Sequence, residues 1–280
     1  MGRLKIVYPV CCGMDVHRDF LIACIAATNA QGVTEYQSRR FSTYTGSLRE
    51  LRDWLLANDC KDVCMESTGK YWFPVHNILE ESCHVVVSHP KFVKAIKGKK
   101  TDKKDAQWIA DLFKHDLVRG SFIPPKDIRQ LRDLCRYWVK LSSYMTGEKN
   151  RAQNCLTVSN FKLDDVFSNV FGKSASAITT QLLEHPGEQF DVAPFVDGRC
   201  KTPIAQIQEA VDGIFTYEQA EKLKIIRGHM DSLERHKAEL ESLILEIAQN
   251  YLPQIELLLT VPGIHDAFTA IRILAEIGPT

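Results

Sequence analysis

The sequence is notable first for what it does not carry. Its 35 lysines and arginines are balanced by 35 aspartates and glutamates, so no net charge points to an acidic or basic partner. No apolar run approaches the length of a membrane span, and no secretory signal opens the chain, so neither a membrane nor an export route is expected. Nine cysteines are present, but their irregular spacing does not read as a disulfide framework. Cys11, Cys12, Cys24 and Cys64 lie in apolar strand-like runs and are expected to be buried, reduced small hydrophobes. Cys60 and Cys64, with Cys83, His84 and His89 nearby, lack the second well-spaced ligand pair that a zinc site needs. The expected setting is a reducing cytoplasm. What remains is an ordinary globular composition, 45% hydrophobic and 25% charged, in 280 residues: room for one large domain or two ordinary ones.

Charge is concentrated locally. Lys91, Lys94, Lys97, Lys99, Lys100, Lys103 and Lys104 crowd one segment, which reads either as a solvated loop or as a phosphate-binding patch. Within it, Asp102 and Asp105 stand three residues apart at the head of the helical run Ala106, Ile109, Ala110, Phe113. Positions three apart share a helix face. The pair reads as an N-cap and N3 capping set, or as carboxylates aimed at a packed surface and matched by a divalent cation.

Hydrophobic periodicity orders the first part of the chain. Strands are predicted over 6–15, 20–28 and 33–41, with turn residues at Asn29-Ala30-Gln31-Gly32. A helix is predicted over 47–57, a strand over 62–66, a helix over 71–81 and a strand over 84–88. A helix near 90–96 and the helix carrying Asp105 complete an α/β domain on a mixed sheet. Asp15 closes the first strand and Glu66 the fourth, so both are expected at one end of the sheet. The later helix is expected to bring Asp102 and Asp105 to the same place. Four converging carboxylates repel one another unless metal neutralises them, and two Mg²⁺ ions held this way serve phosphodiester chemistry. His17 and Arg18, beside Asp15, read as strand-end surface residues or phosphate contacts. Tyr71 reads as a base-stacking platform or the start of a helix, and Trp72 as core.

Beyond Pro124-Pro125 the pattern changes. Leu131, Leu134, Trp138, Leu141 and Met145 step by three and four, as do Leu223, Ile226, Met230, Leu233, Lys237, Leu240, Ile244, Ile247 and Tyr251. The second run is a sustained heptad with one polar interruption at Lys237. It is expected to pair with the first run, with another copy of the chain, or both. Short helices and loops are expected between about 160 and 216. Three regions follow: 1–125, an α/β catalytic domain; 126–254, a helical coiled-coil region; and 255–280, a helical hairpin opening a further domain.

Three motifs carry a family resemblance: Gly13-Met14-Asp15-Val16-His17-Arg18, Met65-Glu66-Ser67-Thr68-Gly69-Lys70-Tyr71-Trp72, and Lys100-Thr101-Asp102-Lys103-Lys104-Asp105-Ala106. Together, in this order, they resemble the DEDD transposases of the insertion-sequence family IS-one-ten. The N-terminal domain of that family is similar to the RuvC Holliday-junction resolvases of the ribonuclease-H fold. Position by position, the family's acidic tetrad falls on Asp15, Glu66, Asp102 and Asp105 as catalytic metal ligands. The resemblance implies Mg²⁺, with Mn²⁺ able to substitute, and movement of the element's own DNA between its ends and a target. It also implies guidance by a structured RNA, a homodimer or higher oligomer, and a bacterial or archaeal cytoplasm near the nucleoid. Lys70, Tyr71, Lys97, Lys99, Lys100, Lys103 and Lys104 are the expected nucleic-acid contacts. The family also has a C-terminal domain whose serine becomes linked to DNA. This sequence ends at Gly278-Pro279-Thr280 before that motif, so a truncated chain and incomplete strand exchange are expected. Two alternatives stand beside this reading. One is a stand-alone, structure-selective two-metal nuclease. The other is a nucleic-acid-binding remnant without catalysis.

Overall fold

A computed structural model describes residues 4–66, 69–93 and 102–279. The chain divides into two compact units, Met1–Ile123 and Pro124–Thr280. Among the described residues no helix is long and apolar enough to cross a membrane.

The first unit is built on a five-stranded sheet. Its strands are β1 (Val10–Val16), β2 (Phe20–Thr28), β3 (Thr34–Ser42), β4 (Asp62–Glu66) and β5 (His84–Ser88). Their spatial order is β3-β2-β1-β4-β5. Strands β1 to β3 form an antiparallel meander, while β4 and β5 run parallel to β1. That order and mixture of directions is the ribonuclease-H-like, RuvC-like sheet. Helices α1 (Thr45–Ala57) and α2 (Trp72–Leu79) cover one face, α4 (Asp102–Lys114) covers the other, and the short α3 (Pro90–Val93) follows β5.

Strand alternation decides which face each side chain serves. Cys12, Met14, Val16, Leu21, Ala23, Ile25, Val63 and Met65 point to α1 and α2. There they meet Leu48, Leu51, Trp54, Leu55, Trp72, Val75 and Leu79 in one buried cluster. Cys11, Ala26 and Cys64 point the other way, onto Ile109, Ala110 and Phe113 of α4. A sheet covered on both faces needs apolar side chains on both, which explains the near-continuous apolar runs of β1 and β2. Strand β3 is the exception. It lies at an edge, is mostly exposed, and carries Glu35, Arg39 and Arg40, charges that discourage edge-to-edge pairing.

Predicted and observed boundaries differ most at β1, which starts at Val10 rather than Ile6. Before it, the backbone amides of Val7 and Tyr8 donate to the Lys114 carbonyl at the end of α4 instead of to a strand, and Pro9 has no amide to give a ladder. The helix predicted over 90–96 is described only as Pro90–Val93.

The far end of α4 is tied to the β2–β3 hairpin by a polar knot. Lys114 Nζ lies 2.6 Å from Asp111 Oδ1, and Tyr36 donates its hydroxyl to the same oxygen at 2.5 Å. Lys114 also reaches Tyr36 Oη at 3.2 Å and Thr34 Oγ1 at 3.4 Å, with its side chain only 11% exposed. A buried ammonium stripped of its carboxylate is costly. Asp111→Ala is expected to destabilise the first unit by about 2–3 kcal/mol, measured by urea denaturation.

In the second unit, α5 (Lys126–Val158) and α9 (Tyr217–Ala248) pack side by side. Ile128 clusters with Ala248, Trp138 bonds Glu241, Glu148 meets His229, and Leu156 clusters with Leu223, so the two helices run antiparallel. The heptad positions Leu223, Ile226, Leu233, Leu240 and Ile244 are all buried on this seam. Lys237, the polar interruption, holds its ammonium 4.5 Å from the centre of the Trp138 ring, whose indole N–H donates to Glu241 at 2.8 Å. Lys237→Ala is expected to cost about 0.5–1 kcal/mol of the second unit's stability in thermal unfolding, the size of a partly exposed cation–π contact.

Shorter helices α6 (Leu163–Val166), α7 (Lys173–Glu184) and α8 (Ile204–Ala210) close a cluster with one end of this pair. At the other end, α10 (Leu252–Leu259) and α11 (Ala267–Ile277) form a helical hairpin. Its core is shared with Ile128, Leu131 and Cys135 of α5. Two arginines of α5 are engaged with α11. Arg132 donates to the Ala275 carbonyl, and Arg136 grips Glu276 with two bonds of 2.7 Å.

Candidate metal centre at the end of the sheet

The centre is assembled by three elements whose placement follows from local sequence. Along β1, alternation turns Cys11, Gly13 and Asp15 toward α4. The parallel register sets Gly13 beside Cys64 and Met14 beside Met65, so the next residues along lie side by side, Asp15 next to last in β1 and Glu66 last in β4. Helix α4 runs against β1. Lys114 answers Val7 and Tyr8, Ala110 accepts from the Cys11 thiol at 3.6 Å, and Ala106 and Ala110 lie over Gly13. One turn before Ala106, α4 therefore carries Asp102 over the end of β1, where Asp15 stands, with Asp105 on the same first turn.

The helix rests on bare backbone. A Cβ at Gly13 would overlap the Ala106 carbonyl and the Ala110 amide. Gly13 thus sets the depth at which α4 sits on the sheet, and so the distance between its acids and Asp15.

Asp15 is the buried member, its side chain 15% exposed, whereas that of Asp102 is 53% exposed. Burial pushes the Asp15 carboxyl above its ordinary range. His17 pulls it down, and the fields of Glu66, Asp102 and Asp105 push it up again. Of the other three acids of the predicted tetrad, Asp102 alone joins Asp15 in a close group of ligand atoms among the described residues, while Glu66 and Asp105 act on it through their fields. At the centre is an imidazole: His17 Nε2 lies 3.1 Å from Asp15 Oδ2 and 3.9 Å from Asp102 Oδ1. Asp15, His17 and Asp102 can offer three ligand atoms within 4.8 Å of one another.

His17 is the residue that sequence reasoning undervalued, having read it as a strand-end surface residue or phosphate contact. Its signal was the spacing, because two residues on from Asp15 along an extended backbone is the same side of the chain. The remaining expected residues fall into three groups. Asp105 is half-buried on the first turn of α4, between the exposed Lys103 and Lys104 side and the core residue Ala106. Lys70 and Tyr71 are exposed in the turn entering α2, while Trp72 is buried against Phe73 and His76, as expected for core. Lys97, Lys99 and Lys100, with Ser67, Thr68 and Thr101, lie outside the described residues. Among the described residues the cysteines offer no rival centre. Cys60 and Cys64 are fully buried in different clusters, and burial pushes the Cys64 thiol up to about 12.

Residues 12–160 match the profile of the DEDD transposases of IS110 (IS-one-ten) elements, described as Transposase. No curated protein sequence matches the chain. Among solved structures, the chain is similar to Thermus thermophilus RuvC at 14% identity and a TM-score of 0.33, over 40% of this chain and 99% of that one. It is also similar to T. thermophilus RuvC in complex with a Holliday junction substrate at 13% identity and a TM-score of 0.30, with 40% and 99% covered. Fowlpox virus resolvase in complex with Holliday junction DNA matches at 14% identity and a TM-score of 0.25, over 37% of this chain and 72% of that one.

Proposed function

Since the chain belongs to the DEDD transposase family of IS110 elements, we propose that it breaks and rejoins DNA strands for transposition, with Asp15, Glu66, Asp102 and Asp105 as ligands of Mg²⁺. The observation that carries this reading is geometric: ligand atoms of Asp15, His17 and Asp102 lie within 4.8 Å of one another at a strand end, where the mostly buried Asp15 carboxyl is pressed upward by burial and by the repulsion of the acids around it. Such repulsion is built into a fold when a cation is to relieve it. The donor set suits the ion. Carboxylate oxygens are hard ligands that favour Mg²⁺ or Mn²⁺, and the exposed Asp102 leaves an open side for substrate. A divalent cation bound there supplies charge neutralisation at a scissile phosphate and its leaving oxygen.

The protein's own groups supply position. Asp15 and Glu66 are fixed by the β1–β4 register, and Asp102 and Asp105 sit on the first turn of α4, where the helix dipole favours negative charge. Lys103 and Lys104, with Lys97, Lys99 and Lys100, offset the acids and meet the phosphate backbone. Lys70 and Tyr71 follow Glu66 and offer a cation and an aromatic face to the same strand. In this reading a structured RNA from the element selects the DNA, the chain works as a homodimer or higher oligomer, and the acidic site acts together with a serine domain that attacks DNA.

The test uses DNA and RNA from the regions flanking the gene. The chain is expected to retain that RNA in a gel shift over a scrambled RNA of equal length. With the serine-bearing domain added in trans, a covalent protein–DNA adduct is expected in Mg²⁺ and not in chelator. Efficient cutting of branched DNA by the chain alone would instead make it a stand-alone nuclease. Binding without any metal-dependent reaction would make it a non-catalytic nucleic-acid-binding protein.

A further inference from the structure

From the geometry around His17 we infer that its imidazole is a direct nitrogen ligand of the cation and biases the centre toward Mn²⁺ over Mg²⁺. This rests on the metal reading of the acidic site given above. It adds a non-carboxylate member to the set and a preference among ions.

Distance is the first argument. Two donors on one octahedral ion, with bonds near 2.1 Å, stand about 3.0 Å apart when adjacent and about 4.2 Å when opposite. His17 Nε2 is 3.1 Å from Asp15 Oδ2 and 3.9 Å from Asp102 Oδ1. The first separation is that of adjacent donors, the second falls between the two, and all three ligand atoms lie within 4.8 Å of one another, so a small movement of the exposed Asp102 side chain brings them onto one ion. A histidine that merely decorated Asp15 would need only the first contact.

Pre-organisation is the second. The ring is packed against Phe20, centroids 4.7 Å apart, and the His17 backbone amide donates to the Phe20 carbonyl at 2.9 Å. The β1–β2 turn therefore holds both the backbone and the ring of His17. Phe20 is itself braced by the Arg40 guanidinium, 3.9 Å from its ring centre. Nε2 is presented to the carboxylates at little further entropic cost, as a ligand should be.

Ion chemistry is the third. Mg²⁺ takes oxygen ligands and parts reluctantly with its waters, while first-row transition ions accept imidazole readily. A carboxylate set with one imidazole therefore gains more for Mn²⁺ than for Mg²⁺. Replacing the nitrogen should remove the preference while leaving a carboxylate site that still binds Mg²⁺.

Pulsed electron paramagnetic resonance of Mn²⁺ bound to the full chain reads this directly. A ¹⁴N coupling of a directly bound nitrogen is expected in the wild type, changing to the ¹⁵N pattern when the protein is labelled with ¹⁵N-histidine, and absent in His17→Gln. In competition titrations, His17→Gln is expected to lose about tenfold in its preference for Mn²⁺ over Mg²⁺, with Mg²⁺ affinity little changed. Mn²⁺ bound without nitrogen coupling would overturn the inference and leave the carboxylate site standing, and a His17→Gln variant that loses both ions equally would overturn the preference for Mn²⁺. The ¹⁵N-histidine experiment on the wild type shows whether a histidine is bound at all, and His17→Asn assigns it where His17→Gln does not fold. Failure of the wild type to bind either ion would instead sink the metal reading itself.

Discussion

Replacing Asp15 by Asn is expected to move the melting temperature of the first unit in opposite directions, depending on whether divalent cation is present. In chelator, the substitution removes a mostly buried negative charge that faces Glu66, Asp102 and Asp105, and the variant should melt about 2–4 °C above the wild type. The pH dependence fixes the sign. The folded-state carboxyl titrates above its unfolded value, so the native protein holds that proton more tightly. The associated stability is fully present below the unfolded value, about 3.9, and is lost as pH rises through the folded one. The advantage of Asp15→Asn in chelator should therefore appear only above that range and vanish in acid. With Mg²⁺ or Mn²⁺ at about 100 times its dissociation constant, the wild type should gain roughly 2.7 kcal/mol, about 5–10 °C, and the variant little or none. Metal-dependent strand chemistry should fall by about 10³-fold or more, because the ligand that fixes charge at the reacting phosphate is gone. A variant that is less stable in chelator would show that Asp15 is a structural carboxylate, held by His17 alone.

Much of the first unit was legible in the sequence because its signals are local. Strands β2, β4 and β5 are bounded by turn residues and consist of apolar runs short enough to be nothing else, and their predicted limits hold. The start of β1 was not legible, because what ends it is a bond from Val7 and Tyr8 to Lys114, more than a hundred residues away. Asp15 and Glu66 could be placed at one sheet end from strand order alone. Their contact with α4 depends on Gly13, whose role as a helix seat is visible only once Ala106 and Ala110 are seen above it. His17 was missed for a related reason: beside a strong acidic pattern, a histidine at a strand end looks like surface. In the second unit the heptad reading of α9 located the seam, since burial recurs at Leu223, Ile226, Leu233, Leu240 and Ile244. The partners of Arg132 and Arg136 were invisible, because a basic residue on an amphipathic helix looks the same whether it faces phosphate or, as here, the end of another helix.

Gly13 offers the sharpest separation between fold and site. Its missing side chain lets the α4 backbone touch β1, and the atoms a Cβ would strike are the carbonyl of Ala106 and the amide of Ala110 rather than the tip of a flexible side chain. Neither can move without lifting the helix. Lifting it is opposed at one end by the Lys114–Asp111–Tyr36 knot and along its length by Ile109, Ala110 and Phe113 in the core. Gly13→Ala is therefore expected to destabilise the first unit by about 3 kcal/mol or more, at the upper end of overpacking effects. Gly46→Ala is the natural control. It lies in α1, a Cβ there meets nothing within 4 Å, and the change should be neutral or stabilising by up to about 1 kcal/mol. Where Gly13→Ala still folds at low temperature, the displaced helix carries Asp102 and Asp105 away from Asp15. The melting-temperature gain from Mn²⁺ should then shrink, although every acid of the tetrad and His17 are still present. An unchanged Mn²⁺ gain alongside the loss of stability would mean that Asp15 and Glu66 hold the ion without the α4 acids, and would remove Asp102 and Asp105 from the site.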